Sequence, residues 1–260
     1  MPVNRFAAGE ALPSPDLILG AGHRTHLSLL LAKAARGGRT IVLMKPSLPT
    51  SWFDLCLIPD HDHPANHENI IVTRGALNTI IPAINQDAAR GLILIGGPSR
   101  HYQWNVNALL DQLQCILKDS SEQWTLSDSP RTPEQTCAQL KALKHPNLHY
   151  YSCKSTPTNW LSEQLKVSAK VWVTQDSVSM IYEALTSGAA VGLLKVPAKK
   201  TGKLTAAIQR LAEQKLLTIF DAWTEGQKLT ATHGLFNESG RCAKLVMDLF
   251  SIPYDRRSSS

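Results

Sequence analysis

The sequence predicts an α/β protein made of two successive βα blocks, each with a parallel sheet, and three observations predict it. From Asp16 onward short apolar runs alternate with helical patterns, the signature of strands joined by crossovers. The runs are continuous rather than alternating, as strands covered on both faces require. The series also restarts at GLILIGGPS, after a weakly periodic stretch from Asn78 to Arg90, which places a domain junction there. The expected divisions are an N-terminal domain over 1–88, a C-terminal domain over 89–239, and a helix with a frayed tail over 240–260.

In the first block DLILG is the opening strand and the following helix carries Leu27 and Leu31. RTIVLM, DLCLI and NIIV supply the next strands. In the second block GLILI is a strand, and Val106, Leu109, Leu110, Leu113 and Leu117 recur at helical spacing along one face. QWTLSD, NLHYY, KVWVT and AVGLL read as the later strands, and Leu204 to Glu213 and Gly240 to Phe250 as helices. Within KVWVTQDSVSMIYEALTSGAAVGLL, Asp176 is expected as the N-cap of a helix. At about 100° per residue, Val178, Ile181, Tyr182 and Leu185 fall on one side of that helix. Asp176, Ser179, Met180 and Glu183 fall on the other.

With 43% hydrophobic and 18% charged residues, the composition is that of a folded globule and excludes disorder and coiled coil. A formal charge of +6 suits an anionic partner: a nucleotide phosphate, an acidic glycolipid or a membrane headgroup. Nucleic acid is not indicated, because Lys195, Lys199, Lys200 and Lys203 are not interleaved with aromatic residues. The five cysteines are odd in number, widely spaced and free of any C-x-x-C, so neither a disulfide framework nor a thiolate zinc site is expected. A cytoplasmic setting follows, and since no stretch has the length of a signal peptide core or a membrane span, any membrane contact is expected to be peripheral. The sequence sets no oligomeric state.

Three polar turns in the second block follow strands and precede helices. Gly96, Gly97, Pro98 and Ser99 form the first, with small residues and backbone N–H groups where a phosphate approaches. The second is SDSPRTP, where Arg131 can clamp a phosphate or carboxylate. Asp176, Ser177, Ser179 and Met180 open the third, with Glu183 placed to accept from a sugar hydroxyl. Each turn also has a plainer reading as a glycine turn, a solvated loop or a capped helix. Parallel strands bring all three to one sheet edge, and there they are expected to share one ligand.

In the first block GAGHRT, with Gly22, Arg24 and Thr25, occupies the corresponding loop. Asp60, His61, Asp62, His63 and His67 crowd a proline-flanked loop and can supply a general base or ligands for a divalent metal. There is no G-x-S-x-G elbow, so acyl hydrolysis of that kind is not supported.

In their order, LGAGHRT, LIPDHD, NIIVTRGALN, ILIGGPSRHYQW, SPRTP and VTQDSVSMIYEAL resemble the mitochondrial-fission Elm-type family, from about Leu17 to about Phe236. The resemblance implies a GT-B glycosyltransferase-like fold of two facing Rossmann-like domains, with a nucleotide-sugar held mainly by the C-terminal one. It implies a donor site at Gly96, Gly97, Pro98, Ser99, Ser129, Arg131, Thr132, Asp176, Ser177, Ser179, Met180 and Glu183, with Gly22, Arg24, Thr25, His61 and Asp62 on the acceptor side. His61 or Asp62 would then be the catalytic base, no metal or other cofactor would be required, and the nucleotide-sugar would be the donor substrate. Family members usually begin with an earlier strand and a Gly-His-Asn-Gln-like loop, so the N-terminal domain is expected to be truncated, and Gln175 stands where an acidic residue is frequent. The expected function is sugar transfer to an envelope glycolipid or another acceptor. Two rivals are a noncatalytic binding or recruitment protein and a metal-dependent hydrolase built on the Asp60 to His67 cluster.

Overall fold

The computed structural model describes residues 12–118, 120–200, 202–231 and 236–253, without the side chains of Lys203 and Leu204. The tail expected to fray, Arg256 to Ser260, lies outside the described residues. The chain divides into two compact units, one comprising Met1–Leu77 with Glu238–Ser260 and the other Asn78–Asn237.

The smaller unit carries a parallel sheet in the order β1-β2-β3-β4: β1 Leu17–Gly20, β2 Arg39–Val42, β3 Leu55–Pro59 and β4 Ile70–Thr73. Helix α1, His26–Arg36, connects β1 to β2. Leu29 packs with Val42, Phe53, Cys56 and Ile58 on one face. Ile41, Leu55 and Leu57 pack on the other against Cys242 and Val246.

Those last two residues come from the C-terminal helix, Glu238–Leu249, so that helix belongs to the first unit and does not stand apart as the sequence suggested. A buried carboxylate fixes it there. Glu238 accepts from the Arg74 backbone N–H at 3.0 Å and from the Arg241 guanidinium at 2.7 Å, while Arg241 also donates to the Val72 carbonyl. Burial pushes the Glu238 carboxyl up, and the hydrogen bonds from Arg241 and Arg74 outweigh it and bring the value below the ordinary one.

The larger unit carries a parallel sheet of six strands in the order β10-β9-β8-β5-β6-β7. These are β5 Asp87–Leu94, β6 Gln123–Ser127, β7 Leu148–Tyr151, β8 Ser168–Thr174, β9 Ala190–Leu194 and β10 Thr218–Ile219. The crossover helices are α2 Val106–Lys118, α3 Glu134–Ala142, α4 Trp160–Val167, α5 Val178–Ser187 and α6 Lys203–Glu213; α7 Phe220–Thr224 follows β10, which makes the C-terminal helix α8. The spacing that predicted α2 is realised: Leu109, Leu113, Ile116 and Leu117 are buried against Ile93, Leu126 and Trp172.

This unit begins at Asn78 rather than at the expected junction after residue 88. Polar side chains and backbone sew the intervening loop to α5 and α4: Asn78 donates to Thr186 Oγ1, the Ala83 N–H to the Ser187 carbonyl, and Gln86 to the carbonyls of Leu165 and Ser187. Strand β5 starts at Asp87, ahead of its apolar run, with a register irregularity against β8 between Asp87 and Gly91. The strand order reverses at β5, which lies between β8 and β6. The loops leaving the carboxyl ends of β5, β6 and β8 are therefore neighbours at a switch point.

Candidate functional site

Those three loops converge on one buried carboxylate. The Asp176 side chain is 0% exposed; its Oδ2 accepts the Gly97 N–H at 2.9 Å and Arg131 Nη2 at 2.9 Å. Arg131 Nη1 donates to the Gly97 carbonyl at 3.2 Å, so loops after β5, β6 and β8 are tied by two side chains. Thr132 Oγ1 adds bonds to the carbonyls of Ile95 and Gly96 and accepts the Ser129 N–H. The Gly96 N–H donates to Thr174 Oγ1 at 2.8 Å.

The two glycines are needed for space. A Cβ on Gly96 would lie 2.3 Å from Asp176 Oδ2, and one on Gly97 2.1 Å from the Arg131 carbonyl oxygen. Ser99 caps the turn beyond them, its hydroxyl accepting the N–H groups of His101 and Tyr102, while Pro98 is exposed.

The expectation that Asp176 caps the helix is corrected. The N-cap of α5 is Ser177, which makes no capping side-chain bond; Asp176 does not cap because it is turned inward by the Arg131 charge and the Gly97 N–H. The first turn of α5 therefore keeps N–H groups that no side chain satisfies. Arg131 does clamp a carboxylate, that of Asp176, and its side chain remains 44% exposed. Asp176 Oδ1 is buried with no hydrogen-bond partner, as is the Tyr102 hydroxyl, whose proton is held more tightly through burial and the nearby Asp176 charge.

Beside this knot lies a cavity of about 530 Å³ lined by Ser129, Arg131, Thr156, Trp160, Ser177 and Met180 among others. Ser129, Arg131, Ser177 and Met180 were sequence candidates. Trp160 and Thr156 were not, because they stand after β7 in a segment without a motif. Asp128, also in the wall, accepts from the Tyr150 hydroxyl and from the Cys153 N–H at 2.7 Å. Burial raises its carboxyl, and those hydrogen bonds outweigh it and draw the value down. Glu183 is half-buried on α5, and burial pushes its carboxyl up; Ser179 is exposed.

In the smaller unit Gly22 opens the loop after β1 at φ 91, a conformation L side chains rarely adopt. Thr25 Oγ1 donates to the Gly22 carbonyl at 2.8 Å, and Arg24 is exposed. His26, which the sequence did not single out, is buried with Nδ1 3.2 Å from Ser47 Oγ and Nε2 unpartnered. Burial, helped by the neighbouring His23, pushes its pKa down. His61 and Asp62 sit in a single 3-10 turn at Asp60–Asp62 directly after β3, at the carboxyl edge of this sheet. His61 Nδ1 is buried 3.7 Å from Asp60 Oδ1, and Lys45 Nζ donates to the Asp62 carbonyl. Among the described residues no group of three or more His, Cys, Asp or Glu side chains is arranged to hold a metal ion, so the Asp60 to His67 cluster does not close into one.

Comparison with solved structures places this fold. A UDP-N-acetylglucosamine 2-epimerase from Listeria monocytogenes, described as putative, matches with a TM-score of 0.57 at 13% identity, over 92% of this chain and 76% of that one. The UDP-GlcNAc 2-epimerase of Methanocaldococcus jannaschii matches with a TM-score of 0.53 at 12% identity, over 90% and 77%. That of Neisseria meningitidis bound to UDP-GlcNAc matches with a TM-score of 0.50 at 14% identity, over 90% and 76%. The fold is of GT-B type. Among curated proteins, the uncharacterized protein RP120 of Rickettsia prowazekii (strain Madrid E) is 27% identical over 263 residues, covering 82% of this chain and 73% of its own. The family model described as Mitochondrial fission ELM1 matches residues 2–250, and the chain belongs to that family.

Proposed function

We propose that the protein binds a nucleotide-sugar at the carboxyl edge of its larger sheet and transfers the sugar to an acceptor hydroxyl. One observation carries the reading: the loops after β5, β6 and β8 meet at Asp176, beside an uncapped α5 N-terminus and a cavity of about 530 Å³. Open helix N–H groups and the hydroxyls of Ser177 and Ser129 suit a diphosphate. The cavity wall of Trp160, Thr156 and Met180 suits a nucleoside, in the size range of small-molecule sites. Glu183 follows about one and a half helical turns into α5, and its carboxylate accepts from a sugar hydroxyl. UDP-GlcNAc is bound in the Neisseria structure of similar fold, which favours a UDP-sugar as the first donor to try.

In this scheme the acceptor oxygen bonds to the anomeric carbon, the carbon–oxygen bond to the diphosphate breaks, and the nucleoside diphosphate leaves. His61 or Asp62 takes the acceptor proton, and Gly22, Arg24 and Thr25 form the acceptor-side loop. No step is routed through a metal or another cofactor. Charge is stabilised in the transition state by the α5 N-terminus and by Arg131, once an incoming phosphate shares its guanidinium with Asp176. The net charge of +6 suits an anionic envelope glycolipid as acceptor. Among the described residues no helix is long and apolar enough to cross a membrane. The free cysteines favour the cytoplasm, and the net charge of +6 a location peripheral to the inner membrane.

The family's description, fission of mitochondria, favours a second reading, a recruitment protein that binds a nucleotide-sugar without turnover. Isothermal titration with a panel of nucleotides and nucleotide-sugars tests both. The expected result is single-site binding of at least one nucleoside diphosphate; binding of none ends both. Sugar release by pure protein that disappears in Glu183→Ala separates the enzyme from the recruitment protein.

A further inference from the structure

We propose that the larger unit holds a second ligand site, at the amino-terminal edge of its sheet, which takes a single anionic amphiphile: an apolar chain ended by a phosphate or carboxylate. The argument starts from two glycines in the interior of strands, where glycine weakens a sheet and marks a close approach. Gly91 of β5 stands in register with Trp124 of β6, and Gly192 of β9 with Trp172 of β8. A Cβ on Gly91 would lie 2.3 Å from the Trp124 ring, and one on Gly192 2.4 Å from the Trp172 ring. Each indole thus lies across the glycine of the adjacent strand. Since β9, β8, β5 and β6 run side by side, the same device occurs twice across four consecutive strands.

Beside these rings, themselves only 2% and 1% exposed, opens a cavity of about 690 Å³ whose accessible apolar wall comes chiefly from the half-buried Trp223 and Leu229. That volume lies in the range of small-molecule sites. Trp172 and Trp223 meet edge to face, at 78° and 5.3 Å, so this pair presents no slot between parallel faces for a flat ring. A flexible aliphatic chain fits such a wall.

The charges at the cavity select the head group. Among the described residues, Lys118, Lys170 and Lys228 line it with a single carboxylate, Glu122. Glu122 is matched already: it accepts from Lys170 Nζ and from the Ser120 hydroxyl. Ser120 in turn accepts the Trp124 indole N–H at 2.6 Å, which fixes that ring. Lys118 and Lys228 are exposed and form no ion pair among the described residues. An anion between them completes the site. Trp124, Lys170 and Trp172 precede the carboxyl ends of their strands, whereas Gly96, Arg131 and Asp176 follow them, so this site and the proposed nucleotide site lie at opposite ends of one sheet.

The cavity reports on itself. Tryptophan fluorescence of the full chain, titrated with dodecyl phosphate below its micelle concentration, is expected to change saturably to a single-site isotherm. Cys115, exposed and part of the cavity wall, is expected to lose reactivity toward a maleimide over the same range. Dodecanol is expected to bind about tenfold more weakly, and inorganic phosphate not to compete. Lys118→Glu combined with Lys228→Glu, two exposed positions that leave the fold intact, is expected to weaken dodecyl phosphate at least about tenfold with an unchanged circular dichroism spectrum. The proposal is overturned by an absence of saturable binding, by equal affinity for the alcohol, or by wild-type affinity in the double variant. UDP-sugar binding is expected to be unchanged in that variant, so failure of one site does not read as failure of the other.

Discussion

The Arg131–Asp176 pair makes an asymmetric prediction, because its two partners differ so much in exposure. Asp176 is 0% exposed in its side chain and Arg131 44%. Arg131→Ala leaves the carboxylate buried with only the Gly97 N–H, since Oδ1 is already without a partner. Breaking a buried ion pair from one side costs about 3–5 kcal/mol. Here the exposed partner is the one removed, and water reaches the vacated space, so the expected cost is about 2–4 kcal/mol. Asp176→Asn removes the charge while its amide oxygen still accepts from Gly97, and Arg131 turns to solvent, for an expected cost of about 1 kcal/mol. In Arg131→Ala with Asp176→Asn no charge is stranded, so the double variant is expected to be more stable than Arg131→Ala alone by at least about 1 kcal/mol. Urea unfolding of the four proteins, followed by fluorescence and circular dichroism together, measures the cycle. Additive losses, or a double variant less stable than Arg131→Ala, would refute the claim that Arg131 chiefly neutralises a buried charge.

Two further outcomes follow from the same site. Gly97→Ala places a Cβ 2.1 Å from the Arg131 backbone oxygen, so backbone must move; a loss of about 1–3 kcal/mol in urea is expected, together with lost nucleotide binding by titration calorimetry. Burial raises the Glu183 carboxyl above its ordinary value of 4.5, so the folded chain binds that proton more tightly than the unfolded one, and wild-type stability declines as pH rises from 4.5 through the folded value. Glu183→Gln is thus expected to raise the urea midpoint at pH 7, with the difference vanishing below pH 4.5, while weakening nucleotide-sugar about tenfold. A Glu183→Gln chain less stable than wild type at pH 7 would contradict the assignment of burial as the cause.

Much of the fold was legible because parallel strands covered on both faces write themselves as uninterrupted apolar runs, as at GLILI and KVWVT. Helix α2 was legible for a related reason, since Leu109, Leu113 and Leu117 repeat on the face that is buried. The first half of β5 was not: DAAR is small and polar, and its residues are exposed. Short α4 and α7 escaped notice, being eight and five residues long. At the site, sequence order alone brought GGPS, SPRTP and DSVSM together, through the rule for carboxyl ends of parallel strands. What it could not give was the direction of Asp176. Local rules make an aspartate before a helix a cap, and only a cation 45 residues away in the chain turns it inward. Trp160 was hidden likewise, since nothing near it in sequence hints at the cavity it walls.

The return of α8 to the first sheet has a consequence for biosynthesis. Residues 78–237 form a contiguous stretch and can complete their core as soon as they leave the ribosome, whereas the unit begun at the amino terminus waits for Cys242 and Val246 to seal Ile41, Leu55 and Leu57. Until residues 238–249 emerge, that sheet has one apolar face bare, an interval in which chaperones and proteases compete for it. Chains cut short ahead of residue 238 would never leave that vulnerable state, even with the larger sheet fully formed.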